Sequence, residues 1–207
     1  MIWSAARVSP VSERPHRPPS EVRIIGGQWK RTRLPVANVP GLRPTPDRVR
    51  ETLFNWLGQD LSGWRCIDAF AGTGALGFEA ASRGASEVRL IEQDSALVAQ
   101  LTRLQTRLQA TAVRVERADG VSALKRLGAA SMDLVLLDPP FDSTLLAQAL
   151  PEAVRVLAPL GFVYMEAPRR WPNDELAALG LAVYRYLKAG AVHAFVLQRI
   201  KPIVSSP

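Results

Sequence analysis

At 207 residues the chain has room for one domain and an appendage, and hardly for two full domains. Hydrophobic residues make up 47% and charged residues 22%, with a mean hydropathy near zero, so a sizeable core can form and wholesale disorder is excluded. No run approaches the roughly 18 apolar residues of a membrane span, and MIWSAARVSP at the start lacks the apolar centre of a signal peptide, so the expected location is cytoplasmic.

One cysteine, Cys66, and two histidines, His16 and His193, cannot make an internal disulfide or a common zinc or iron–sulfur site. No metal is expected, an exclusion firmer for soft metals than for a carboxylate-bound magnesium. The net charge of +7 is unevenly spread. Residues 1–50 hold ten Lys and Arg against three Asp and Glu, whereas the remainder is balanced. A basic arm on a neutral body suits a phosphate backbone, the competing readings being a solvated tail or an anionic membrane surface.

In chain order, the prolines at 10, 15, 18 and 19 mark residues 1–20 as a flexible basic leader. Val22-Arg-Ile-Ile25 and Gln28 to Leu34 flank Gly26-Gly27, which predicts a tight hairpin. Trp29 on it is equally suited to stacking on an exposed base and to packing beneath the hairpin. Thr45-Pro46-Asp47 reads as an N-cap, a first-turn proline and an acid at the start of a helix running to about Leu57. Val49, Leu53, Trp56 and Leu57 would face the body, leaving Arg48 and Arg50 free to point elsewhere.

From residue 65, apolar strand patterns at 65–70, 87–92, 113–117, 132–138 and 161–166 alternate with helical ones at 75–83, 95–109, 121–127, 143–157 and 173–179. Leu181–Leu187 and Ala191–Gln198 predict a closing antiparallel hairpin. The expected architecture is α/β: a mostly parallel seven-stranded sheet with helices on both faces. The expected divisions are a leader (1–20), a hairpin-and-helix extension (21–64), a catalytic body (65–200) and a tail (201–207).

Two segments carry chemistry. Asp68-Ala-Phe70-Ala-Gly72-Thr-Gly74-Ala-Leu-Gly77 takes a strand through a glycine turn into a helix, and Glu92 ends the next strand. NAD and S-adenosylmethionine both fit that pattern. Asp68 favours the second, because its charge suits an ammonium and sulfonium and would repel a pyrophosphate. Asp119 is either an acceptor for the adenine amino group or an ordinary helix cap. The other segment, Asp138-Pro139-Pro140-Phe141, ends a buried strand with an acid, two residues lacking N–H donors and an aromatic ring. Acceptors beside a stacking face suit the exocyclic amine of an extruded base.

On these residues the chain resembles the class I S-adenosylmethionine-dependent methyltransferases, and more narrowly the RsmD family of bacterial 16S rRNA (guanine-N2)-methyltransferases. The narrower likeness rests on Arg23-Ile-Ile-Gly-Gly-Gln-Trp-Lys30 and Arg43 through Leu57, and covers about residues 21–200. The resemblance implies a Rossmann-like fold, with Asp68, Phe70, Gly72 and Gly74 around the methionine part of S-adenosylmethionine, Glu92 on the ribose and Asp119 on the adenine. It implies that Asp138 and the Pro139 carbonyl orient the guanine amine, with Pro140 completing the turn and Phe141 stacking on the base. The implied target is guanine 966 of 16S ribosomal RNA, in the small subunit or an assembly particle.

The reaction expected is direct attack of the amine on the sulfonium methyl, with Asp138 acting first as an orienter and needing no strongly raised pKa. Arg23, Lys30, Arg31, Arg33, Arg43, Arg48 and Arg50 are the expected phosphate contacts. The rival readings are an adenine-N6 or other nucleic-acid amine methyltransferase, a catalytically inactive RNA-binding factor, and an NAD-dependent oxidoreductase. No sustained heptad appears, and a monomer is expected.

Overall fold

A computed structural model of the chain describes residues 21–37, 39, 42, 44–141 and 144–200. The leader, the tail and Arg43 lie outside the described residues. The order of elements is β1 (Glu21–Arg23), β2 (Arg33–Pro35), α1 (Asp47–Trp56), β3 (Arg65–Asp68), α2 (Ala75–Ser82), β4 (Glu87–Glu92), α3 (Ser95–Arg107), β5 (Val113–Arg117), α4 (Gly120–Arg126), β6 (Met132–Leu137), α5 (Leu145–Val156), β7 (Leu157–Ala167), α6 (Asn173–Ala178), β8 (Leu181–Ala189) and β9 (Val192–Arg199).

Seven strands form one sheet in the order β5-β4-β3-β6-β7-β9-β8. β9 runs antiparallel to both its neighbours, β7 and β8, while the pairings from β5 to β7 are all parallel. Successive strand residues point to opposite faces, so each buried strand feeds two cores. Cys66, Leu134 and Leu136 join one core with Phe78 of α2 and Leu101 of α3; Ile67, Val135 and Leu137 join the other with Leu124 of α4 and Leu150 of α5. The helices thereby cover both faces. No helix among the described residues is long and apolar enough to cross a membrane.

The N-terminal elements share the first of these cores: Val22, Ile24, Leu34, Val49, Leu53 and Phe54 are buried in it, and Trp29 packs against it partly covered. The expected hairpin forms, but its tight turn at Gly26-Gly27 needs correction. β1 and β2 pair through Val22 and Leu34, and Arg31 N–H donates to Ile24 O at 2.8 Å, so the connection is a long loop. Gly26 and Gly27 serve its docking on α2. Gly27 has φ +73°, and a Cβ there would stand 1.8 Å from the Ser82 carbonyl oxygen, a contact only glycine permits.

The cap expected at Thr45 is likewise corrected. Helix α1 starts after Pro46 with no side-chain cap, and the Thr45 hydroxyl is bonded elsewhere. Among the boundaries that also move, β3 stops at Asp68, and β7 begins at Leu157, directly after α5.

Candidate active site

β3 pairs with β4 on one side and β6 on the other, so the connections leave in opposite directions at its carboxyl end. Such a switch point opens a crevice. The glycine turn and Asp138 both lie there.

At the turn, Gly74 (φ +77°) adopts the left-handed conformation that launches α2. Asp68, 1% exposed, accepts from Gly77 N–H at 3.1 Å through Oδ2, against the start of that helix. Its Oδ1 is buried with no hydrogen-bond partner among the described residues. Burial lifts the carboxyl pKa to about 7, assisted by the charge of Glu92 and opposed by backbone N–H groups. Glu92 accepts from Gly72 N–H and Asp94 N–H, both at 2.9 Å, which ties the second strand end to the turn. Phe70 packs on the second core, and Asp119 caps α4 by accepting from Ser122 N–H at 2.8 Å.

This donor inventory decides between ligand classes. The N–H groups of Gly72, Gly74 and Gly77 are all consumed internally, by Glu92, Ala71 O and Asp68. A pyrophosphate would find few donors and a buried carboxylate; an ammonium would find an unsatisfied acceptor, and hydroxyls would find Glu92. The residues present therefore fit S-adenosylmethionine better than a dinucleotide.

One strand further on, the register Leu137↔Met165 brings Asp138 level with Glu166 at the end of β7. Thr45 links them: its hydroxyl donates to Glu166 Oε1 at 2.7 Å and lies 3.3 Å from Asp138 Oδ2. Tyr164 O–H also donates to Glu166 Oε1, at 2.7 Å. Burial and the Glu166 and Asp68 charges hold the Asp138 pKa well above the usual carboxylate range, and burial raises that of Glu166. Burial beside Glu166 keeps the Tyr164 phenol a protonated donor.

Pro139, Pro140, Phe141, Leu146, Glu166 and Trp171 are among the lining of a cavity of about 210 Å³. Phe141, at 39% exposed, stands at its edge. Arg169 also lines it and sets its guanidinium 5.3 Å from the Trp171 ring centroid, and Trp171 Nε1 is buried without a partner among the described residues. Thr45, Glu166, Arg169 and Trp171 were not among the site residues expected from sequence. Tyr-Met-Glu166-Ala-Pro168 does repeat the signal of Leu-Leu-Asp138-Pro139, an apolar strand ending in an acid with proline close behind.

Of the expected phosphate contacts, Arg23, Lys30, Arg31, Arg33 and Arg48 are exposed, Arg23 pairing with Asp47 and Arg33 with Glu21. Arg50 is a correction. It is 0% exposed and donates to Glu79, Asp47 and the carbonyls of Thr45 and Arg23. Glu79, equally buried, also receives Arg83 and the N–H groups of Ile25 and Gly26. With four of its five N–H donors engaged and no exposed surface, Arg50 clamps the extension onto α2 and is closed to a phosphate.

The family model described as "Conserved hypothetical protein 95" matches residues 22–198. Curated relatives include two proteins named ribosomal RNA small subunit methyltransferase D. That of Escherichia coli is 41% identical over 181 residues, spanning 82% of this chain and 91% of its own. That of Haemophilus influenzae is 38% identical over 178 residues, spanning 80% and 92%. The solved structure of yhhF from Escherichia coli matches with a TM-score of 0.74 at 40% identity, over 86% of this chain and 98% of that one.

Proposed function

Because the chain belongs to the conserved hypothetical protein 95 family, the RsmD family of class I methyltransferases, we propose that it methylates the exocyclic N2 amine of a guanine in 16S ribosomal RNA. The donor is S-adenosylmethionine, the target guanine 966 of the small subunit or its assembly particle, and the setting the cytoplasm. The observation that carries this reading is the Asp138–Phe141 turn at the cavity edge, one strand from Asp68 at the glycine turn, whose Oδ1 has no partner among the described residues.

S-adenosylmethionine supplies an electrophilic methyl on a cationic sulfur. Asp68 Oδ1 would accept from its ammonium, Glu92 from its ribose hydroxyls and Asp119 from its adenine amine, with Gly72, Gly74 and Phe70 forming the wall. On the substrate side, Asp138 and the Pro139 carbonyl accept the two amine hydrogens and so direct the nitrogen lone pair at the methyl. Pro139 and Pro140 offer no competing N–H. Phe141 stacks on the base and holds it out of its helix. The acceptors stabilise positive charge developing on nitrogen, and the Asp138 carboxylate takes the proton afterwards. Lys30, Arg31, Arg33, Arg23 and Arg48 contact phosphates, and Arg43 is proposed with them.

The test is transfer of labelled methyl to unmodified small-subunit particles and to their extracted RNA, with nucleoside identification and Asp138→Ala as control. N2-methylguanine formed by the wild type and lost in the variant supports the reading. N6-methyladenine, or no transfer to either substrate, overturns it.

A further inference from the structure

The cavity beside Asp138 is lined by an acceptor and a donor that amine transfer alone does not require. Glu166 ends β7 as Asp138 ends β6, and both hydroxyls that reach it, from Thr45 and Tyr164, land on Oε1. Trp171, in the loop after β7, brings an indole N–H that is buried and unpartnered among the described residues, with Arg169 over its ring. An unpaired buried N–H costs free energy until a ligand supplies an acceptor.

We propose that Glu166 and Trp171 make this cavity selective for guanine, Glu166 Oε2 accepting from N1–H and Trp171 Nε1–H donating to O6. The inference rests on the guanine-N2 reading above. The Watson–Crick edge of guanine offers two adjacent donors, N2–H and N1–H, followed by an acceptor, O6. The site offers two acceptor groups spanned by a single hydroxyl, Asp138 beside the cavity and Glu166 on its wall, and the same wall carries a donor, Trp171. Adenine carries an acceptor at N1, which would face the Glu166 carboxylate, and a donor where guanine has O6. Both contacts are then repulsive or unpaired, the circumstance in which a polar site rejects the wrong ligand most strongly.

Two hydroxyl donors at Oε1 also fix what a glutamine would do. In Glu166→Gln the amide oxygen would take the Oε1 position and the NH₂ would take that of Oε2, reversing the polarity presented to N1. A structural role for Glu166 predicts no such reversal.

The experiment compares single-turnover methylation of two ligated small-subunit RNAs, with guanine or 2-aminopurine at the target; 2-aminopurine keeps the N2 amine, has an acceptor at N1 and lacks O6. Wild type should prefer guanine by on the order of 100-fold or more. Glu166→Gln should slow guanine and speed 2-aminopurine. Trp171→Phe should slow guanine roughly 10-fold and leave 2-aminopurine unchanged, as loss of one hydrogen bond implies. S-adenosylhomocysteine affinity, unchanged in both variants, verifies folding. Equal losses on both RNAs overturn the inference and leave the guanine-N2 reading standing, and failure of wild type to methylate the guanine RNA overturns both.

Discussion

The hydroxyl of Thr45 lies 2.7 Å from Oε1 of Glu166 across a separation of 121 residues. A residue of the N-terminal extension thereby enters the carboxyl cluster of the candidate site, and the extension helps to build that site.

Replacing Thr45 by valine removes the bridge and leaves Glu166 with Tyr164 as its remaining described donor. The expected cost is about 1–3 kcal/mol of stability, that of a buried polar group deprived of one partner. Methyl transfer should fall about tenfold, the equivalent of one lost hydrogen bond. Urea unfolding and single-turnover rates measure the two effects, and S-adenosylhomocysteine affinity should not move, because Asp68, Glu92 and the glycine turn are untouched.

Arg50→Met tests the clamp between extension and α2. It removes a fully buried guanidinium and leaves buried Glu79 and partly exposed Asp47 short of a partner. Breaking such a pair costs about 3–5 kcal/mol. Arg50→Lys should recover only part of this, because one ammonium cannot serve the four groups that the planar fork reaches. Thermal unfolding of the two variants gives the order wild type, Lys, Met. A methionine variant as stable as wild type would remove Arg50 from the structural role argued for it.

What could be read along the chain and what could not divide on sequence distance. Strand–acid–glycine–helix at Asp68–Gly77 and strand–acid–proline at Asp138 are local patterns, each made of neighbours that a periodicity argument can see. The parallel sheet and its antiparallel closing hairpin are legible for the same reason, and the sheet has the seven strands expected. Thr45 looked like a helix cap because a Thr-Pro-Asp run is one locally; only its partner on β7 reveals otherwise. Arg50 looked solvent-facing because helical spacing marks the face away from Val49 and Leu53, but the β1–β2 loop and α2 cover that face. Gly26-Gly27 read as a turn for the same local reason, while α2 imposes the requirement.

Asp68 gives the site a pH dependence of known sign. Its folded pKa is about 7, against about 4 for an unfolded aspartate. Below pH 4 the group is protonated in both states, and its neutral form carries no burial penalty. As pH rises from 4 to 7 the unfolded chain ionises first, so stability falls, by up to about 4 kcal/mol from this residue. Asp138 and Glu166, also raised, act in the same direction. The difference between wild type and Asp68→Asn isolates the Asp68 share: unfolding free energy should drop less between pH 5 and pH 8 in the variant. Binding runs the other way. An ammonium favours the ionised carboxyl, so S-adenosylhomocysteine affinity should rise as pH passes 7 in wild type and stay flat in Asp68→Asn. Calorimetric titration across that range also reads the accompanying proton release.

Lys30, Arg31 and Arg48 are exposed on the extension, and their proposed contribution is charge alone. If each neutralises one phosphate, replacing all three by alanine should reduce the slope of log affinity against log salt by roughly 2 to 3, at about 0.7–0.9 per contact. Exposed substitutions of this kind change stability by about 0.5 kcal/mol or less each. The loss should therefore appear in RNA affinity, steepest at low salt, with cofactor binding and unfolding unchanged. Arg50→Lys, carrying the same charge as wild type at a position closed to solvent, should leave the slope as it was. A triple variant with the wild-type slope would show that RNA is held by some other surface, whereas a flattened slope in Arg50→Lys would mean that the buried clamp acts on RNA by orienting the basic loop it anchors.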